Sequence, residues 1–163
     1  MDDIATAAGV SRQTIYAHFR SRDALIGSLL ERVTERVVDA IRAADLDTGP
    51  ATGALIRFIE LAWRAFEGNP FMLHLATPSA SPEQERDRHQ PILAPLEHLI
   101  TRGQRTGEFD PAVPVSWLLA AIIGLGHAAG EEVRAGRLTP DQAIEALRRS
   151  IPRMLATGQP HPV

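Results

Sequence analysis

Three sets of residues in this sequence have types and spacings that suggest chemistry. Arg12, Gln13 and Thr14 follow Ser11, and the stretch from Ser11 to Arg22 also holds Arg20 and Arg22 without a single acid. Guanidinium and carboxamide groups at the start of a helix carry the donors that read guanine and adenine edges in a DNA major groove. Tyr16, His18 and Arg22 on the same stretch have donors suited to phosphate oxygens, contacts that position a protein on DNA without specifying sequence. The second set is Gly124-Leu125-Gly126-His127-Ala128-Ala129 after Ile122-Ile123, a Gly-x-Gly-x-x-Ala pattern that cradles a pyrophosphate when it joins a strand to a helix. The third is the six histidines, at 18, 74, 89, 98, 127 and 161.

The last two sets lead to bland expectations. No His-x-x-x-His or His-Glu-x-x-His occurs, so a metal site needs ligands from distant helices, and neither a metal nor a cofactor is expected. Cys is absent, which removes disulfide frameworks and thiolate nucleophiles, and no Gly-x-Ser-x-Gly elbow is present, so the chain does not read as an enzyme. The glycine pattern lacks its context. Only 34 residues follow Ala129, with a helix cap and Pro152 where a second strand is required, and the preceding Trp-Leu-Leu-Ala-Ala-Ile-Ile run continues a helical pattern. Ala120, Gly124 and Ala128 read instead as a flat helix face that another helix approaches closely.

The elements that must position these residues are all helical. Apolar residues recur at three- and four-residue spacings through the 163 residues, 44% of which are apolar, and strict alternation is missing. Punctuation predicts eight helices. A short one runs from Asp2 to Ala8 and stops at Gly9; a second runs from Ser11 to Phe19. A third, capped by Ser21, carries Leu25, Leu29, Val33, Val37 and Ile41 on one face. After the loop Asp45 to Gly53, a fourth presents Phe58, Trp63 and Phe66, and Phe71 to Ala76 forms a short fifth. Ser81-Pro82-Glu83-Gln84 opens a sixth that reaches Thr106, with a kink or break expected at Pro91 and Pro95. The seventh covers Val113 to Ala135. Thr139-Pro140-Asp141-Gln142 opens the eighth, with Ile144, Leu147, Ile151 and Met154 as its seam.

Charge and hydropathy bound the partners. All 17 basic residues are Arg against 20 acids, a net charge of -3, so attraction to nucleic acid must be local. Pro111 to Gly130 carries no formal charge over about a bilayer's length, yet its Pro, Gly, Ala and His content fits a buried core helix better than a membrane span. The N-terminal Met-Asp-Asp-Ile is acidic and unlike a secretory signal, and a cytoplasmic location is expected.

In the first twenty residues, Ala5 permits close helix crossing, Gly9 makes the turn, and Val10 with Ile15 fixes the angle of the second helix, an arrangement that places it in a major groove. The run Ala8-Gly9-Val10-Ser11, then Tyr16 and Phe19, then Ser21-Arg22-Asp23-Ala24-Leu25 resembles the helix-turn-helix of the tetracycline-repressor (TetR) family. That resemblance implies a bacterial repressor, a homodimer that releases a double-stranded, palindromic operator when a small molecule binds. By position, Arg12, Gln13 and Thr14 are candidates for reading bases and Tyr16, His18 and Arg22 for phosphate contacts, with Ser11 counted among the DNA-binding residues. The family has a further helix before these two, and Met1 of the sequence as given stands where the second begins. Ile4, Ile15, Phe19 and Leu25 are accordingly expected to lack part of their cover.

The expected architecture is thus all-α. Residues 1–44 are the helix-turn-helix and connecting helix; residues 45–163 form a helical bundle for ligand binding and dimerisation. An effector pocket for a small, largely apolar molecule is expected within residues 54–130, drawing on Trp63, Phe66, Phe71, Met72, His98, Trp117 and His127. Ala120, Gly124, Ala128, Ile144, Leu147, Ile151 and Met154 are expected to form a four-helix homodimer interface. A dimeric binding module without DNA binding is the alternative, and a nucleotide-dependent enzyme rests on the glycine pattern alone.

Overall fold

The computed structural model describes residues 1–67 and 82–157, with side chains described for 1–65 and 90–157. These residues form seven α-helices and no strand: α1 Asp2–Ala8, α2 Arg12–His18, α3 Arg22–Ala43, α4 Ala51–Glu67, α5 Pro82–Arg105, α6 Val115–Arg134 and α7 Pro140–Leu155. The helix expected over Phe71 to Ala76 lies outside the described residues.

Helix starts follow their local caps. The Ser11 and Ser21 hydroxyls accept from the backbone N–H groups of Thr14 and Ala24, each at 3.0 Å. Thr139 and Gln142 cap each other reciprocally, and Pro140 occupies the first helical position of α7. Such a cap satisfies donors that the first turn cannot pair internally. Two boundaries differ from expectation. α6 begins at Val115 instead of Val113, because Val113 precedes Pro114 and the proline ring disfavours helical backbone there. α5 runs unbroken through Pro91 and Pro95. Pro95 withdraws a hydrogen bond from the carbonyl of Pro91, and Pro91 is exposed, so water can replace the lost donor.

The core is one cluster. α4 lies at its centre against α3, α5 and α7, and α6 closes against α5 and α7. Val37, Ile41, Leu55, Leu96, Leu99, Ile100, Leu118, Ile151 and Leu155 are essentially inaccessible. Each such side chain contributes about 1.5–3 kcal/mol relative to exposure. The α3 stripe enters this core only from Val33 onward, since Leu25 is half-buried and Leu29 is 46% exposed. The third helix therefore joins the bundle through its C-terminal half, while its start follows the second helix directly along the chain.

Three side chains fix the junction between α3 and α4. Arg102 on α5 donates to the carbonyls of Gly49 and Leu46 at 2.7 and 2.8 Å. Arg57 on α4 donates to Asp45 and Thr48 carbonyls at 3.1 and 3.3 Å. The Glu108 carboxylate accepts from the backbone N–H groups of Ala51 and Thr52 at 2.8 and 3.0 Å, capping α4 from a distant turn. Those amides, Thr52 first and Ala51 next, hold the Glu108 carboxyl below the usual range. The loop at the expected domain boundary is thus bonded to two helices of the bundle.

Candidate nucleic-acid interface and ligand cavity

α1 and α2 meet through small and branched residues. Ala5 and Ile15 are 5% and 8% exposed, and the Val10 N–H returns to the Ala5 carbonyl at 3.0 Å. Gly9 turns the chain at φ 67°, a left-handed conformation that side-chain-bearing residues adopt with difficulty. Outside this contact α2 presents Arg12, Gln13, Thr14, Tyr16 and His18 to solvent, with Arg22 exposed at the start of α3. The Arg12 guanidinium lies 5.4 Å from the centre of the Tyr16 ring. Its Nη1 is 3.1 Å from an oxygen of Asp2.

A second site lies inside the bundle. A half-open cavity of about 110 Å³ lies between α4, α5, α6 and α7. Phe58, Trp63, Leu96, Ile122 and Leu147 are among its walls, and His127 supplies an imidazole. Trp63 is 7% exposed, and its indole N–H has no hydrogen-bond partner among the described residues.

Residues 1–29 match the model of the family described as bacterial regulatory proteins, tetR family. Its DNA-binding segment is that of the TetR family. It is 31% identical over 119 residues to the HTH-type transcriptional regulator AlkX of Mycobacterium tuberculosis, in an alignment covering 72% of this chain and 54% of AlkX. The chain thus spans about half the length of that relative. The HTH-type transcriptional repressor LfrR of Mycolicibacterium smegmatis is 27% identical over 152 residues, covering 93% of this chain and 77% of LfrR. The solved structure of LfrR in complex with proflavine superposes with a TM-score of 0.70 at 26% identity, covering 95% of this chain and 84% of that one. The MbdR regulator of Azoarcus sp. CIB, at 24% identity and a TM-score of 0.77 over 96% of this chain and 87% of that one, shares the fold.

Within the TetR helix-turn-helix, two of the residues expected to bind DNA have local partners. The Ser11 hydroxyl caps α2, and its oxygen is 2.8 Å from the Thr14 hydroxyl. Arg12 and Gln13 extend beyond that cap. The Ser11-to-Arg22 stretch contains no acid, but the fold brings Asp2 from α1 onto Arg12, a pairing across ten residues that only the Gly9 turn creates. Of the four residues expected to lack cover, Ile15 is buried, and Ile4, Phe19 and Leu25 are half-buried.

Within the TetR bundle, the expected pocket residues separate. Trp63 and His127 line the cavity. Trp117 is 65% exposed on the outer face of α6, because Leu118 and Ile122 take the inward positions and Trp117 is turned about 100° away from Leu118. His98 is exposed on α5, with its Nε2 3.6 Å from an Asp47 oxygen. The Phe66 side chain, Phe71 and Met72 lie outside the described residues. Ile92, Leu93 and Ile123 join the walls without having been singled out; the first two belong to a helical stripe just past Pro91, and Ile123 to the apolar run of α6.

The expected dimer seam also divides. Leu147 and Ile151 are buried and face the cavity within the protomer, since α7 turns that stripe towards α4. Ile144 and Met154 are half-buried at its margin. Ala120, Gly124 and Ala128 are exposed on α6, and a Cβ at Gly124 would meet nothing within 4 Å. The small-residue face expected to receive a helix receives none from the described part of the protomer. Its glycines lie in the middle of α6, without the strand and turn that a pyrophosphate cradle requires.

Proposed function

We propose that this chain is a ligand-responsive transcriptional repressor that binds a palindromic operator as a homodimer and releases it when a small, largely apolar molecule enters the bundle. The observation that carries this reading is the shared helix α3. Its start follows the helix-turn-helix, and its Val33, Val37 and Ile41 pack in the same core as the walls of the cavity. A ligand that shifts α4 or α5 therefore acts on α3 through packed side chains, and α3 carries the reading helix.

Residues 1–44 act as the reading unit and residues 45–163 as the sensing and dimerising unit. Arg12 and Gln13 read base edges, with Tyr16, His18 and Arg22 on phosphates. Trp117, Ala120, Gly124 and Ala128 form the centre of the dimer contact, joined at the margin by Ile144 and Met154. The complex of LfrR with proflavine supports small-molecule sensing in this fold. Among the described residues no helix is long and apolar enough to cross a membrane, in keeping with a regulator that works on DNA in the cytoplasm.

The test is binding to duplexes selected from a random library on the full chain. Arg12→Ala should weaken the selected duplex more than random DNA. Arg22→Ala should weaken both alike and lower the salt slope by about one. If no duplex is selected over random DNA, the chain is a binding module and not a regulator.

A further inference from the structure

Arg12 is held by two partners that differ in kind. Asp2, carried on α1 across the Gly9 turn, engages Nη1 of the guanidinium with its two carboxylate oxygens at 3.1 and 3.2 Å. Tyr16 stands one turn further along α2, and the guanidinium carbon lies over its ring, 5.4 Å from the centre. A spacing of four residues puts both side chains on one stripe of the helix. Ile15 is buried, which turns that stripe outward, so Arg12 and Tyr16 are both exposed.

The two holds have different consequences once DNA arrives. The carboxylate accepts from Nη1, so a guanine edge that needs this donor displaces Asp2. An aromatic face attracts a cation through its quadrupole and not through a lone pair, so that hold persists while the N–H groups turn to a base. Arginine carries among the largest rotamer freedom of any side chain, and freezing it is a cost incurred only where the guanidinium makes a fixed contact. A ring that fixes Arg12 in advance removes part of that cost. The gain falls on duplexes whose bases Arg12 reads, and random DNA does not share it. The hydroxyl at the far end of the same ring has a different use, since a phosphate contact positions the helix without regard to sequence.

We propose that Tyr16 has two separable roles: its ring positions Arg12 and sets the selectivity that Arg12 delivers, while its hydroxyl supplies phosphate affinity alone. This inference rests on Arg12 reading a base edge, as in the proposed function, and adds the residue through which that reading becomes selective.

Tyr16→Phe and Tyr16→Leu separate ring from hydroxyl in the full chain, with affinity measured for a duplex selected from a random library and for random DNA. Tyr16→Phe should weaken both alike and keep their ratio. Tyr16→Leu should show the same loss and also lower the ratio about two- to fivefold, the scale of an exposed contact between a cation and a ring. In an Arg12→Ala background, Tyr16→Leu should leave the ratio where Arg12→Ala alone puts it. General damage to α2 would instead lower it further, because Gln13 would be displaced as well. The unaltered chain gives a reading that needs no variant. Tyr16 is the only tyrosine in the sequence, so labelled tyrosine rings report on it alone. Nuclear Overhauser effects from that ring to the Arg12 side-chain protons should be present in the free chain and persist in the complex with the selected duplex. A Tyr16→Leu chain that keeps the Tyr16→Phe ratio, or that lowers the ratio equally without Arg12, would overturn the positioning role. So would disappearance of the ring-to-Arg12 effects in the complex. An Arg12→Ala chain with an unchanged ratio would show that Arg12 reads no base, which removes that part of the proposed function and this inference with it.

Discussion

Asp2 and Arg12 form a contact that bears on DNA affinity before any DNA is present. Both side chains are largely exposed, so the pair is weak, yet on the proposed reading Arg12 leaves it to reach a base edge. Asp2→Asn should raise affinity about two- to fivefold, the scale of a surface ion pair, and affinity measured by fluorescence anisotropy checks it. Glu108 invites a pH prediction. Its carboxyl is held below the usual range by the amides of Thr52 and Ala51, so its stabilising contribution is complete above the unfolded carboxylate value of about 4.3 and is lost as pH falls through the lower folded value. Denaturant unfolding should show Glu108→Gln less stable than the parent near neutrality, with the gap closing below about pH 4. Gly103 concerns packing alone. A Cβ there would collide with the ring of Phe109, which is 1% exposed, so Gly103→Ala should cost about 1–3 kcal/mol in the same measurement.

Elements were legible where a few neighbouring residues decide them. Ser11, Ser21 and Thr139 mark the starts of three helices because a cap is a bond between residues three apart, and Gly9 marks a turn because only its backbone adopts the required angle at low cost. Orientation was not legible in α6. Its Trp-Leu-Leu-Ala-Ala-Ile-Ile run has no polar residue to mark an outer face, and contacts with α5 and α7 choose Leu118 over Trp117 for the core. The α7 seam was ambiguous for a similar reason, since an apolar stripe looks the same whether it meets α4, as Leu147 and Ile151 do, or a second subunit. The cavity was half legible: Trp63 and His127 stood out by type, whereas Ile92, Leu93 and Ile123 are ordinary apolar residues until four helices converge. Two glycines of α6 separate the outer face from the inner one. Gly124→Leu projects into open space in the protomer, so it should leave folding intact and weaken dimerisation, as sedimentation at micromolar concentration reports. Gly126 lines the cavity, and a Cβ there meets nothing within 4 Å. Gly126→Ala should therefore raise stability by about 0.5–1 kcal/mol, through reduced backbone entropy in the unfolded chain, while weakening ligand binding.

Taken whole, the molecule places a basic reading helix on a chain of net charge -3, so affinity for DNA must come from one face and fall steeply with salt. The α3–α4 junction, bonded by Arg57, Arg102 and Glu108, keeps α3 from swinging independently of the bundle. On the proposed reading, rigid attachment is what lets a small occupant of the cavity matter at the DNA face. The ligand need only favour one packing of α3 over another, and its effect on DNA affinity equals the difference in its own affinity for the free and DNA-bound protein. The most direct measurement is therefore a titration of the preformed complex of this chain with its selected duplex, followed by anisotropy, using a neutral probe already shown to raise the melting temperature. The account predicts release of the DNA over the concentration range in which the probe binds, with Gly126→Ala shifting release and probe binding to higher concentration together. A probe that saturates the cavity and leaves the DNA complex intact would contradict it.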